Sequence, residues 1–127
     1  MSFYLKSWRR GYAYMTRKKD DRYYAELILN EVNKLIDFAS RVNFSDPERN
    51  EEAIYAMNFC VVQIRENIAC LSADFQRNRL GIKAEKFADF RNLLVHDYGN
   101  TDYSAYSDFV NNDIHILKRH LEQYLGF

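Results

Sequence analysis

The sequence predicts an all-α fold, an up-down bundle of four to five helices, and three observations carry that prediction. Pro47, Gly81 and Gly99 are the only strong breakers between a basic N-terminal segment and the penultimate residue. Between them apolar side chains recur at helical spacing, with no sustained strand-like alternation. The chain has 127 residues, 47% of them apolar or aromatic, enough to bury about two thirds of its surface around one core without a covalent staple.

The first helix is expected from Tyr24 to Val42, where Ile28, Val32, Leu35, Ala39 and Val42 follow one another at 4, 3, 4 and 3 residues and so share one face. Ser45-Asp46-Pro47-Glu48 has the Ser-x-x-Glu form of a capping box with Pro in the first turn. After it Ile54, Met57, Val61, Ile64, Ile68 and Leu71 form the stripe of a second helix, packed antiparallel on the first. A third helix is expected from Lys83 to His96 with Phe87, Phe90 and Leu94 on its buried side, ended by a left-handed turn at Gly99-Asn100. Thr101 or Asp102 can cap the last helix, whose stripe is Val110, Ile114, Leu117, Leu121 and Tyr124. Tyr103, Tyr106 and Phe109 are read as core or dimer interface, and His115 and His120 as surface groups.

Residues 1–21 form a separate basic aromatic extension, with residues 22–127 as the helical domain. Phe3, Tyr4, Trp8, Tyr12 and Tyr14 alternate with basic side chains there, without a stripe of either period. Such a segment can stack bases and neutralise phosphates or simply stay solvated, and Met15 offers an internal start that would leave residues 1–14 untranslated.

The balanced charge hides an asymmetry. Residues 1–24 hold seven basic and two acidic side chains, so the remainder is acidic by five. An acidic body excludes a whole-surface nucleic-acid binder and leaves room for a local basic site. No apolar run approaches the roughly 20 residues that span a bilayer, and a cytoplasmic protein without membrane partners is expected. Cys60 and Cys70 lie in one predicted helix, about 15 Å apart along its axis, and are read as reduced core thiols. The cysteine and histidine spacings fit no zinc motif, and neither metal nor cofactor is expected.

Phosphate loops, zinc-protease and serine-hydrolase motifs are absent from the sequence. What remains is Phe90-Arg91-Asn92-Leu93-Leu94-Val95-His96-Asp97-Tyr98, a dense set of polar groups at a helix end. A histidine can move a proton near neutral pH, and an arginine fork can hold a phosphate and stabilise its transition state. These are the groups that cleavage of a phosphodiester requires. On an ideal helix Asn92 and His96 share a face, whereas Arg91 and His96 lie about 140° apart. Either the helix loosens before His96, or a site is completed across a two-fold axis, and the dimer is the favoured reading. Arg77, Arg79, Lys83 and Lys86 lead into the motif as a path for an RNA backbone or as an ordinary solvated face. Glu31 and Glu66 are candidate polar links to the motif.

Arg91, His96 and Tyr98, in Arg-x4-His-x-Tyr spacing, resemble the signature of the HEPN superfamily, specifically the HepT-like (DUF86) toxins of toxin–antitoxin pairs. The likeness runs over about residues 22–125, through Thr101-Asp102-Tyr103 and Asn112-Asp113-Ile114, with Arg65 standing where the family usually has Gly. The resemblance implies a homodimeric, metal-independent endoribonuclease acting on tRNA or mRNA. Arg91 and His96 would be catalytic, and Asn92 and Asp97 would orient the site. Tyr98 would receive AMP from a cognate minimal nucleotidyltransferase antitoxin, so that ATP is the partner's substrate. Rival readings are a non-catalytic helical module that holds and assists a nucleotidyltransferase, and a purely structural dimerisation bundle.

Overall fold

The computed structural model describes residues 18–127, so the basic aromatic extension and its proposed start site lie outside the described residues. The chain folds as helices α1 (Asp21–Ala39), α2 (Glu51–Ile68), α3 (Ala73–Asn78), α4 (Ala84–His96), α5 (Tyr103–Asp108) and α6 (Ile114–Leu125). Among the described residues there is no strand, as expected for an all-α bundle.

The predicted stripes form the core. Ile28, Val32 and Leu35 of α1 meet Met57, Val61 and Ile64 of α2, and Ile114, Leu117 and Leu121 of α6 close the other side of α1. Helix α4 lies on α2 and sends Phe87 and Leu94 inward. Phe87 meets Phe109 edge-on with ring centroids 5.3 Å apart, while Phe90 stacks on Phe109 at 4.8 Å and abuts Tyr106. The side of α4 preceding the polar motif is therefore anchored by aromatic packing that favours these offset and edge-on geometries. Tyr106 is fully buried and donates its hydroxyl to Asn58 Oδ1 at 2.8 Å, which satisfies the polar end of a core ring.

Several local expectations need correction. Helix α1 starts at Asp21, where the Asp20 side chain accepts from the Tyr23 amide, and it stops at Ala39, before the predicted Val42. The Ser45/Glu48 capping box does not form. Pro47–Asn50 is a short 3-10 turn, and the Asn50 side chain holds the connection by donating to the Asn43 and Asp46 carbonyls. Cys60 is buried, but Cys70 is exposed. Helix α3 was not anticipated. Its cap is tertiary: Ser72 accepts from the Phe75 amide while its own amide and hydroxyl donate to Asp21, 51 residues away, at 2.7 and 2.6 Å.

The last helical stretch contains a π turn at Phe109–Asp113 that a regular 4-3 spacing conceals. Ile114, Leu117 and Leu121 stay on the predicted stripe beyond this turn, Tyr124 packs against the core partly buried, and Leu125 is buried as well. Asp113 of this turn pairs with Lys86 at 2.5 Å, tying it to the first half of α4. Gly81, at φ +79°, carries the left-handed turn before α4, and a Cβ there would run into the His120 ring. No helix among the described residues is long and apolar enough to cross a membrane.

Candidate active site

Helix α4 remains regular through His96, its last residue, with the Asp97 amide still donating to the Leu93 carbonyl at 2.9 Å. The turn at Gly99 is not left-handed as expected: Tyr98–Asn100 forms a 3-10 turn instead. It is closed by Asn100 Nδ2 donating to Asp97 Oδ1 and by Thr101 Oγ1 donating to the Tyr98 carbonyl, each at 2.7 Å. Asp102 then caps α5 by accepting from the Ala105 amide. Asp97 thus shapes the helix end that carries His96 and Tyr98.

The motif side chains face outward. His96, Asn92 and Asp97 are exposed, and Arg91 and Tyr98 are half-buried. Arg91 Nη1 donates to Asn92 Oδ1 at 3.2 Å. Its Nε sits 3.4 Å from Glu66 Oε1 of α2, shielded from water yet without hydrogen-bond geometry. Attraction at that distance between partly exposed charges is worth about 0–1 kcal/mol, so it aims the guanidinium without locking it. Glu66 therefore does link to the motif, whereas Glu31 pairs with Lys34 of its own helix. His96 has no side-chain hydrogen bond or ion pair among the described residues, which leaves both ring nitrogens open to a ligand.

Tyr98 packs against α2. Its ring lies 5.7 Å from that of Tyr55, and its hydroxyl is 3.5 Å from that of Tyr103. Tyr55 in turn donates to Glu51 Oε1 at 2.8 Å, and that bond raises its pKa. Tyr103 is pushed up to about 12, first by its hydrogen bond to Tyr98 and then by burial. Tyr103 accordingly keeps its proton as the donor toward Tyr98.

The Glu66 and Tyr98 contacts bracket an outward face of α2 and α4. Tyr55, Phe59, Val62 and Glu66 repeat at 4, 3 and 4 residues, one or two positions off the core stripe, and Arg91, Val95 and Tyr98 run alongside in the opposite direction. Phe59 is 64% exposed, Tyr55 52% and Val95 48%, the only large apolar side chains so exposed besides Phe127 among the described residues. Glu51, Tyr55 and Phe59 were missed as neighbours of the motif. The signal was the second stripe on α2, adjacent to the one that builds the core.

The four basic residues proposed to guide RNA have different neighbours, with Lys83 lining a groove beside Lys86, Asp89 and Asp113 as well as one beside Arg77. Arg77 and Lys83 line a common groove of about 1160 Å³ with Gln76 and Asn78. Arg79 instead lies over the Tyr124 ring at 5.9 Å, and Lys86 is held by Asp113. Among the described residues no three His, Cys, Asp or Glu side chains converge as a metal site would require.

The family model described as Ribonuclease HepT-like matches residues 28–124, spanning every element that builds this face. The chain belongs to the HepT-like ribonuclease family. Three similar proteins come from Methanocaldococcus jannaschii. The one named Putative RNase MJ1380 is 24% identical over 83% of this chain and 96% of its own length. Those named Putative RNase MJ0125 and Putative RNase MJ1216 are each 23% identical over 84% of this chain, and 91% and 88% of their own lengths. No solved structure matches the chain. Within this HepT-like chain, Arg91, His96 and Tyr98 occupy one helix end and the turn that follows it.

Proposed function

We propose that this HepT-like protein is the toxin of a toxin–antitoxin pair, an endoribonuclease that needs no metal and works as a homodimer. The observation that carries the reading is the regularity of α4 through His96. With no loosening of the helix, Arg91 and His96 point about 140° apart and cannot easily converge on one phosphate from a single copy. Two copies related by a two-fold axis through the Phe59/Val95 face would bring Arg91 and His96 of both chains to one cleft. Exposed aromatic and aliphatic side chains at that centre supply the apolar burial a dimer needs.

In the cleft Arg91 grips the scissile phosphate through its guanidinium, steered by Glu66 and Asn92, and stabilises the added charge as the 2′-oxygen attacks. The 2′-oxygen–phosphorus bond forms, the bond to the 5′-oxygen breaks, and His96 moves the proton between them. DNA lacks the attacking hydroxyl. Asp97 holds the turn, and the groove holding Arg77 and Lys83 extends the path of the tRNA or mRNA backbone. Tyr98 is the acceptor of AMP from a cognate nucleotidyltransferase. The adduct would fill the cleft and set its own phosphate against Arg91, which blocks RNA by bulk and by charge.

The test is cleavage of mixed tRNA and mRNA by the purified protein in EDTA, with DNA of matched sequence as control. His96→Ala is expected to lower the rate by about 10²–10⁴-fold with unchanged thermal stability, because the side chain is exposed. A variant that cuts at the wild-type rate would overturn the assignment. Intact RNA with the wild-type protein, together with co-purification of a nucleotidyltransferase, would select the non-catalytic helper module instead.

A further inference from the structure

Two hollows run end to end along the first half of α4. One, of about 180 Å³, lies between α2 and α4 and is lined by Arg65, Ile68 and Ala88. The other is the groove that holds Arg77 and Lys83. They share Gln76, Ala84 and Glu85 as walls, so they form one continuous trough. Ala84, Ala88 and Arg91 stand at i, i+4 and i+7 on one face of α4, and the trough therefore leads along that face toward the guanidinium of the motif.

The positive charges along this path are uncommitted. Among the described residues the side chains of Arg65, Arg77 and Lys83 make no ion pair or hydrogen bond, whereas Arg49 is held by Asp46 and Lys86 by Asp113. Glu85 is the one carboxylate among the described residues that line the trough. On the other side of Lys83, the hollow that contains Lys86 is lined by Glu85, Asp89 and Asp113, and its balance is acidic. The far end of the α2/α4 pair, beside Tyr98, carries Glu51, Glu52, Asp97 and Asp102, all exposed. A polyanion leaving Arg91 thus meets unpaired cations in one direction and carboxylates in the other.

The shape selects among polyanions. From Ala84 to Arg91 the helix rises about 10 Å, the length of about three nucleotides at the ~3.4 Å rise of one stacked strand. The cations line a recess, in which a lone strand can settle, whereas a duplex carries its two backbones on the outside of a stiff rod and spans the rim. We propose that this trough holds the backbone of a single RNA strand on one side of the cut, and that Arg65 is the contact joining the cleft to the outer groove. The proposal deepens the ribonuclease reading and rests on it for the identity of the strand. It makes the substrate class single-stranded RNA that extends about three nucleotides beyond the scissile phosphate.

The test is binding without cleavage. A labelled 2′-O-methyl oligouridylate of about ten nucleotides, which lacks the attacking hydroxyl, is titrated with the full chain by fluorescence anisotropy between about 50 and 200 mM salt. Each of Arg65→Ala, Arg77→Ala and Lys83→Ala should flatten the slope of log affinity against log salt by about 0.7, and the triple variant by about 2. Arg65→Lys, which keeps the charge, should keep the slope, and Arg49→Ala at the acidic end should leave both slope and affinity unchanged. Glu85→Gln should tighten binding, a gain that a damaged fold cannot produce. A wild-type slope in Arg65→Ala or in the triple variant would overturn the trough, as would a duplex of equal length bound as tightly as the strand. The predicted slopes with cleavable RNA left intact would remove the nuclease step and uphold the trough, and cleavage with unaltered slopes would do the reverse.

Discussion

The inward and outward sides of the α2/α4 pair are built from similar residue types and do different work. Inward, Met57, Val61, Ile64, Phe87 and Leu94 are buried, and polar groups appear only where a partner is supplied, as at Tyr106 and Asn58. Outward, Phe59 and Val95 stand in solvent between two polar ends, Arg91–Glu66 and Tyr98–Tyr55–Glu51. Burial fixes the first side in one arrangement. The second is held only by weak partly exposed bonds, and its apolar centre gains nothing in the isolated chain. On the proposed reading, stability and function lie on opposite sides of the same two helices, and substitutions should separate them.

The largest expected effect is Phe87→Ala. The ring is fully buried against Phe109, so its loss should cost about 3–5 kcal/mol in urea unfolding. Because α4 carries the motif, cleavage should fall with the folded fraction. A loss below about 1 kcal/mol would mean that the inward side is not the one that holds the fold.

The stripes made this contrast half legible. Spacings of 3 and 4 identified α1, α2, α4 and the core side chains Val61, Phe87 and Leu94, because burial of an amphipathic face depends on period alone. The cap of α3 was not legible, since its partner Asp21 is 51 residues away. Nor was the π turn, whose extra residue leaves a plausible 4-3 stripe behind. At the site the motif spacing located Arg91, His96 and Tyr98, but contacts across helices decided who joins them. Glu66 was one of two candidate carboxylates, and Tyr55, Glu51 and Tyr103 entered only when α2 and α5 were seen beside the turn. Arg79 and Lys86, in the stretch leading to the motif, each meet a partner that the sequence did not point to, Tyr124 and Asp113.

A smaller effect tests how the inward side treats polar groups. Burial raises the Tyr106 pKa above its ordinary 10.0 and lifts the Cys60 thiol from 9.0 to about 12. A group whose folded pKa is raised contributes stability that is complete below its unfolded pKa and is lost as pH climbs toward the folded one. Unfolding free energy should therefore decline from about pH 9 upward, first through the thiol and then, above 10, through the phenol. Tyr106→Phe should cost about 1 kcal/mol at pH 7, by leaving Asn58 without its donor. It should also flatten the decline above pH 10, which urea titrations from pH 7 to 11 would reveal. An unchanged alkaline slope would place the loss outside the core.

The smallest expected effect on the isolated chain is Phe59→Asp, and its contrast with Phe87→Ala is the sharpest form of the comparison. Phe59 is 64% exposed, so its replacement should change unfolding free energy by no more than about 0.5 kcal/mol at concentrations where the protein is monomeric. On the proposed dimer face the same change places a carboxylate at the centre of an apolar contact, opposite its own copy across the two-fold axis. Two buried like charges would repel each other and lose their hydration, so the dimer should dissociate in light scattering and RNA cleavage should fall with it. Should the variant remain dimeric and active, the two-fold axis does not pass through Phe59 and Val95, and the cleft must be assembled on another face of the bundle.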